Sequence, residues 1–214
     1  MDWHVCEPYE PYAFLEQMPP HPAFTFREEL TLEERVAVAG YQDMGFLQHT
    51  WEVVPPDVNH PNCSVINSFL RFAEFRDALS DADYDVCMEL ISLIDSAIEK
   101  SVIREDLMVI RGLSDSGWFN LYEVGSTFSD DAFGSFSLSP DSACRYAGLN
   151  SAGQKVLVMY KLHAGSHALY MGKKEEEMLL PRNMRYKVNE IDYVSPGVID
   201  IEYEAKVYIV REDT

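Results

Sequence analysis

The apolar positions of the chain recur first at helical spacing and later at strand spacing. Thr31-Leu32-Glu33-Glu34 reads as a capping box, with Thr31 as N-cap and Glu34 three residues on. A helix is expected from there through Val36, Val38 and Ala39 towards Tyr41, with Gly40 weakening its end. Pro55, Pro56 and Pro61 mark the next segment as a loop, and Ile66 to Phe72 begins a second short helix. A third runs from about Asp83 to Ser101, its stripe made by Cys87, Ile91, Ile94 and Ile98. Near residue 105 the pattern changes. Leu107 to Gly112 is a short β-branched run ended by Arg-Gly, which reads as a buried strand. Ala132 to Ser139 is a second candidate strand, and Pro140-Asp141 starts a helix over Ser142 to Ala147. Lys155 to His163 is apolar on both faces, as a central strand is, and His167 to Met171 is another short strand. A strand from Tyr186 to Val194 is joined by the turn Ser195-Pro196-Gly197 to a last one, where Ile199, Ile201, Tyr203, Ala205, Val207 and Ile209 alternate with polar residues.

Strands in succession without long helices between them imply antiparallel or mixed sheet, so the fold class is α+β with the helices first. Residues 1–29, with Pro8, Pro11, Pro19, Pro20 and Pro22, read as an irregular arm. Residues 30–214 are expected to form one domain, mainly helical over 30–104 and β-rich over 105–214.

Composition narrows the partners. Lys and Arg number 17 against 36 Asp and Glu, a formal charge of −19, which disfavours nucleic acid and anionic membranes and suits a basic protein partner. No apolar run is long enough for a transmembrane helix, and the first residues show no secretory signal, so a cytoplasmic location is expected. Cys6, Cys63, Cys87 and Cys144 lack metal-ligand spacing, and the six histidines are scattered, so no metal is expected.

The stretch with most chemistry is Lys173 to Arg182, where Glu175, Glu176 and Glu177 run into Met178-Leu179-Leu180-Pro181. If the stretch is extended, Glu175 and Glu177 share a face and can act on one substrate from neighbouring positions. A run of like charges also commonly decorates a solvated surface. Arg111-Gly112 puts a cation beside backbone that an anionic group can approach closely, or simply ends a strand in an ion pair. Ser135, Ser137 and Ser139 put three hydroxyls on one face of a strand.

The order Arg-Gly, Ser-x-Ser, Glu-x-Glu resembles the arginine-serine-glutamate class of mono-ADP-ribosyltransferases, which includes clostridial binary toxins, C3-like enzymes and bacteriophage enzymes. Thr31 to Tyr41, Ile66-Asn67-x-x-Leu70-Arg71 and Ile94 to Ile98 extend the resemblance over roughly residues 30 to 210. It implies a helical part packed on a two-sheet core, with NAD as substrate, and ADP-ribose transferred to a basic, arginine-containing protein acceptor. Glu177 would then stabilise the ribose cation formed as nicotinamide leaves, with Ser135 orienting it. Arg111 would hold an NAD phosphate, the Gly112 backbone the nicotinamide amide, and Tyr146 would pack on the nicotinamide ring. Glu175 would orient the arginine acceptor. The other register makes Glu176 the cleaving acid with Lys174 before it. The usual middle residue of the Ser-Thr-Ser motif is Phe136 here. The resemblance suits a monomer acting in its own cell or in a host cell after phage or injection-system delivery. An NAD glycohydrolase on the same fold, or a non-catalytic acidic inhibitor, are the other readings.

Overall fold

The structure is a computed structural model that describes residues 30–42, 49–53, 61–113, 123–149, 154–172, 175–194 and 203–211, with backbone only at 154 and from 192 onward. The N-terminal arm, the Pro55-Pro56 loop and the Ser195-Pro196-Gly197 turn lie outside these residues.

Helix α1 (Leu32–Gln42) begins as the capping box requires. Glu34 N–H donates to Thr31 Oγ1 at 3.3 Å, and Thr31 N–H donates to Glu34 Oε2 at 2.7 Å. Glu34 also accepts from Ser96 Oγ at 2.6 Å and pairs with Lys100 at 2.8 Å, which ties α1 to helix α4 (Asp81–Glu99). Burial works against the Glu34 carboxylate, but Lys100, Ser96 and the Thr31 amide outweigh it and hold its pKa below the ordinary value. Helix α2 (Asn62–Arg71) starts four residues before Ile66, because Pro61 ends the loop and sits at its N-cap. Phe72 then leaves the helix in an extended conformation, and a short α3 (Ala73–Asp77), unanticipated from the pattern, follows. Ser80 caps α4 by accepting from Asp83 N–H, so the helix starts at Asp81, two residues earlier than the stripe suggests.

The strands are β1 (Leu107–Gly112), β2 (Thr127–Asp130), β3 (Gly134–Ser137), β4 (Gln154–Leu162), β5 (Leu169–Gly172), β6 (Glu177–Leu180), β7 (Met184–Val194) and β8 (Tyr203–Arg211). Between β3 and β4 lies α5 (Pro140–Tyr146). The order across the sheet is β2-β7-β8-β4-β1-β3-β6-β5, antiparallel except for the β4–β8 pair. Strand β1 runs against β4 over its whole length but against β3 only at Ile110–Ser137. The eight strands therefore behave as two sheets, β2-β7-β8-β4-β1 and β3-β6-β5, hinged at that pair. Arg111 and Gly112 lie just past it, at the mouth of the split.

Strand β6 explains the apolar run after the glutamates. Leu179 enters the core shared with the helices, beside Leu169, Met171, Phe133, Ile66 and Ile94. Met178 and Leu180 enter the opposite core, with Phe136, Tyr160 and Tyr170. A strand covered on both faces has no polar side to offer, so its sequence shows no alternation. The helical layer thus shares a core with β5 and β6, and the end of α1 reaches the start of β6.

Candidate active site

Glu177 opens β6, is paired with Ser137 in β3, and is partly buried. Three elements meet on its carboxylate. Gln42, the last residue of α1, donates from Nε2 to Glu177 Oε2 at 3.0 Å, and the Ser135 hydroxyl of β3 lies near enough to favour its charged form. The charges of Arg111 and Glu175 act on it from the sides. Burial is the largest cause raising its pKa and Glu175 adds to it, while Ser135, Gln42 and Arg111 pull the other way; the net shift is upward.

Glu175 and Glu176 are in a turn, not in the strand. This corrects the alternation expected for an extended stretch. Ser137 Oγ donates to the Glu175 carbonyl at 2.6 Å and Leu138 N–H to the Glu176 carbonyl at 2.9 Å, which folds the chain back at this point. Glu176 has φ 49°, in the left-handed region, and its side chain is exposed. The turn gives the three carboxylates different surroundings: Glu177 against Gln42 of α1, Glu176 to solvent, and Glu175 towards α5. Lys174 lies outside the described residues. Tyr146, on α5, donates its hydroxyl to Glu175 Oε1 while more than half of its surface stays open, at 55%. The Glu175 hydrogen bond, then burial and the two carboxylate charges, push the Tyr146 phenol up to about 12.

The serines also divide. Ser135 and Ser137 belong to β3, but the strand ends there, and Ser139 is the N-cap of α5, accepting from Ser142 N–H at 3.4 Å. The expected row of three hydroxyls is thus two, and Ser135 is the one that lies near the Glu177 carboxylate. Phe136, between them, points into the β core 6.1 Å from Tyr160, and the Arg111 guanidinium lies 6.0 Å above its ring. The bulky middle residue therefore faces away from Glu177.

Arg111 is held by a residue the sequence reading did not single out. Asp130, the last residue of β2, takes Arg71 of α2 through two bonds of 2.9 Å, and Arg111 approaches it at 3.3 Å. Burial opposes ionisation of Asp130, but Arg71 and Arg111 outweigh it and hold its pKa below the ordinary carboxylate value. Two guanidiniums are thus gathered beside one partly covered carboxylate. Asn67, one turn before Arg71 on α2, donates from Nδ2 to Tyr41 Oη at 2.9 Å, while its buried Oδ1 has no hydrogen-bond partner. Arg145, His163, His167 and Arg182 make hydrogen bonds or ion pairs elsewhere in the fold; Arg182, for example, is held by Asp95 at 2.9 Å. Among the described residues no cluster of His, Cys, Asp or Glu could hold a metal ion, and no helix is long and apolar enough to cross a membrane.

Gly112 is glycine for a packing reason. Helix α5 crosses β1 so closely that a Cβ at 112 would lie 2.1 Å from the Ala143 carbonyl oxygen and 2.7 Å from Ala147 N. Gly112→Ala is therefore expected to displace α5, and Tyr146 with it. The expected loss is about 1–3 kcal/mol of stability, the usual cost of overpacking, with KM for the substrate raised. Urea denaturation monitored by fluorescence checks the first effect, and steady-state kinetics the second.

Residues 59–210 match the family model described as ADP-ribosyltransferase exoenzyme. A relative from Enterococcus faecalis, the NAD(+)–arginine ADP-ribosyltransferase EFV, is 27% identical over 134 residues, which are 58% of this chain and 27% of the relative. The chain thus matches about a quarter of that protein's length. Among solved structures, Plx2a, an ADP-ribosyltransferase toxin from Paenibacillus larvae, superposes with a TM-score of 0.60 at 20% identity, covering 87% of this chain and 89% of its own. The ADP-ribosyltransferase Vis of Vibrio splendidus, in complex with agmatine, does so with a TM-score of 0.61 at 20% identity, covering 88% and 78%. At these identities the structural likeness speaks for the fold, a helical layer on a split sheet.

Proposed function

We propose that this chain, which belongs to the ADP-ribosyltransferase exoenzyme family, splits NAD at the nicotinamide–ribose bond and transfers ADP-ribose to arginine of a protein acceptor. The observation that carries the reading is the partly buried Glu177 carboxylate, hydrogen-bonded by Gln42 and set among Ser135, Glu175 and Arg111. The residues fit NAD. Arg71 and Arg111 supply guanidiniums for a diphosphate, and the unpartnered Asn67 Oδ1 can accept from a hydroxyl or amino group of the substrate.

As the C1′–N bond breaks, its electron pair leaves with neutral nicotinamide and positive charge develops on the ribose. Glu177 stabilises that charge because its orientation is fixed in advance by its contacts. Arg111 holds a phosphate, the backbone at Gly112 meets the nicotinamide amide, and the Tyr146 ring borders the same pocket. Glu175, on the open side, takes the acceptor guanidinium and then its proton as the new C1′–N bond forms. The agmatine bound to Vis, itself a guanidinium compound, and the arginine specificity in the name of the Enterococcus faecalis relative support this acceptor. The acidic surface favours a basic protein target, in the producing cell or in a host cell. One monomeric domain over residues 30–214 is sufficient for this arrangement.

The test is to incubate the chain with NAD labelled in the adenylate, with and without agmatine or an arginine-rich protein. Labelled acceptor together with released nicotinamide is the expected result. Brisk nicotinamide release with no labelled arginine would make the chain an NAD glycohydrolase, and no release at all would leave a binding protein on this fold.

A further inference from the structure

We propose that Gln42 is a positioning residue for the cleavage step: its side-chain amide, carried by the last residue of α1, fixes the Glu177 carboxylate without cancelling its charge. Gln42 donates from Nε2 to Glu177 Oε2 at 3.0 Å, across 135 residues of sequence. The amide stands on a rigid support. Tyr41, the residue before it, is 1% exposed and packs edge-on against Phe133 at 5.9 Å. Its hydroxyl accepts from Asn67 Nδ2 of α2 at 2.9 Å. At the other end of α1, Glu34 is held by Ser96 at 2.6 Å and by Lys100 at 2.8 Å. A helix anchored at both ends leaves its last side chain little freedom to wander.

The choice of side chain matters as much as its place. The last torsion of a glutamate is broad and roughly two-fold, so a carboxylate with no partner can turn freely. A donor fixed on one oxygen removes most of that freedom. Lys or Arg could supply the same bond, but a positive charge there would offset the negative charge that the developing ribose cation needs. A glutamine amide donates through its nitrogen with no net charge, and an ionised carboxylate only accepts, so the direction of the bond is settled by chemistry. Arg111 and Glu175 act on the same carboxylate through their charges, whereas Gln42 meets it in a direct bond. The inference rests on the reading of Glu177 as the group that meets the ribose cation, and concerns what sets its orientation.

Two measurements test it. The first is the proton–nitrogen NMR signal of the Gln42 side-chain amide, identified by its loss in Gln42→Met. One of its two protons is expected downfield of the other, and Glu177→Gln, which takes the charge off the acceptor, should draw the two together. The second is single-turnover release of nicotinamide, with NAD affinity measured on the same preparation. Gln42→Met keeps nearly the same length and has no donor. It is expected to slow release by about 10–10²-fold, as a misplaced catalytic group does, with Kd for NAD within about threefold of wild type. Added to Glu177→Gln, it should slow release little further, because there is no longer a charge to orient. Unchanged release in Gln42→Met, a loss that lies wholly in Kd, or a loss that multiplies in full with that of Glu177→Gln would overturn the inference. If Gln42→Met does not fold, Gln42→Asn keeps the amide one methylene too short, and near wild-type release in that variant overturns the inference as well. The amide signal needs no turnover. A wild-type chain that cleaves no NAD would sink the proposed reaction, whereas an amide signal indifferent to Glu177→Gln would sink this inference alone.

Discussion

Glu177→Gln is expected to keep the fold and bind NAD while nicotinamide release falls by about 10²–10³-fold or more, the usual effect of removing one preorganised electrostatic stabiliser. Gln has nearly the shape of Glu and can still accept from Gln42 through its amide oxygen. What it lacks is the charge that meets the ribose cation. Release measured by chromatography, with NAD affinity by calorimetry on the same preparation, separates chemistry from binding. Near wild-type release would remove Glu177 from the mechanism and direct attention to Glu176. The environment of Glu177 adds a pH dependence. Burial, with help from Glu175, raises its pKa above the ordinary 4.5, so cleavage should fade as the pH falls through that raised value. The sign for stability is opposite to that of a salt-bridged acid. Over the interval above 4.5 the folded chain still holds a proton that the unfolded chain has released, so stability falls as the pH rises through it. Glu177→Gln should remove that part of the stability profile, and denaturation at several pH values would show whether it does.

Glu175→Gln is expected to abolish transfer to arginine while sparing most of the hydrolysis of NAD by water. Glu175 is in the turn before β6 and reaches Tyr146 at the open side of the site, away from the contact that Gln42 makes with Glu177. A guanidinium, with a pKa above about 12, stays protonated until a carboxylate both holds it and takes its proton. Water needs far less positioning. The expected loss of transfer is on the order of 10²-fold or more, as for removal of a general base, with nicotinamide release in the absence of acceptor within a few-fold of wild type. Labelling of agmatine at the wild-type rate would show that Glu175 does not govern the acceptor. Parallel loss of both activities would place it on the bond being broken.

Most of the elements and the three motifs were legible in the sequence because both depend on local rules. Capping chemistry fixes the start of α1 at Thr31 and Glu34, and β-branched residues ended by Arg-Gly mark β1 from Leu107 to Gly112. Strand β6 could be placed by Met178-Leu179-Leu180, yet the turn that separates Glu175 from Glu177 could not, since it is made by Ser137 and Leu138 of another strand. Strand β2 was missed for a similar reason. Its four residues are only half covered or exposed and carry no periodic signal, although Asp130 at its end gathers Arg71 and Arg111. Helix α1 could be drawn towards Tyr41, but not what its end touches: Gln42 and Glu177 are 135 residues apart. Periodicity tells which side of an element is buried, because that depends on the element alone. Which polar groups then meet depends on how the helical layer lies across the split between β1 and β3, and that is settled by packing over the whole chain.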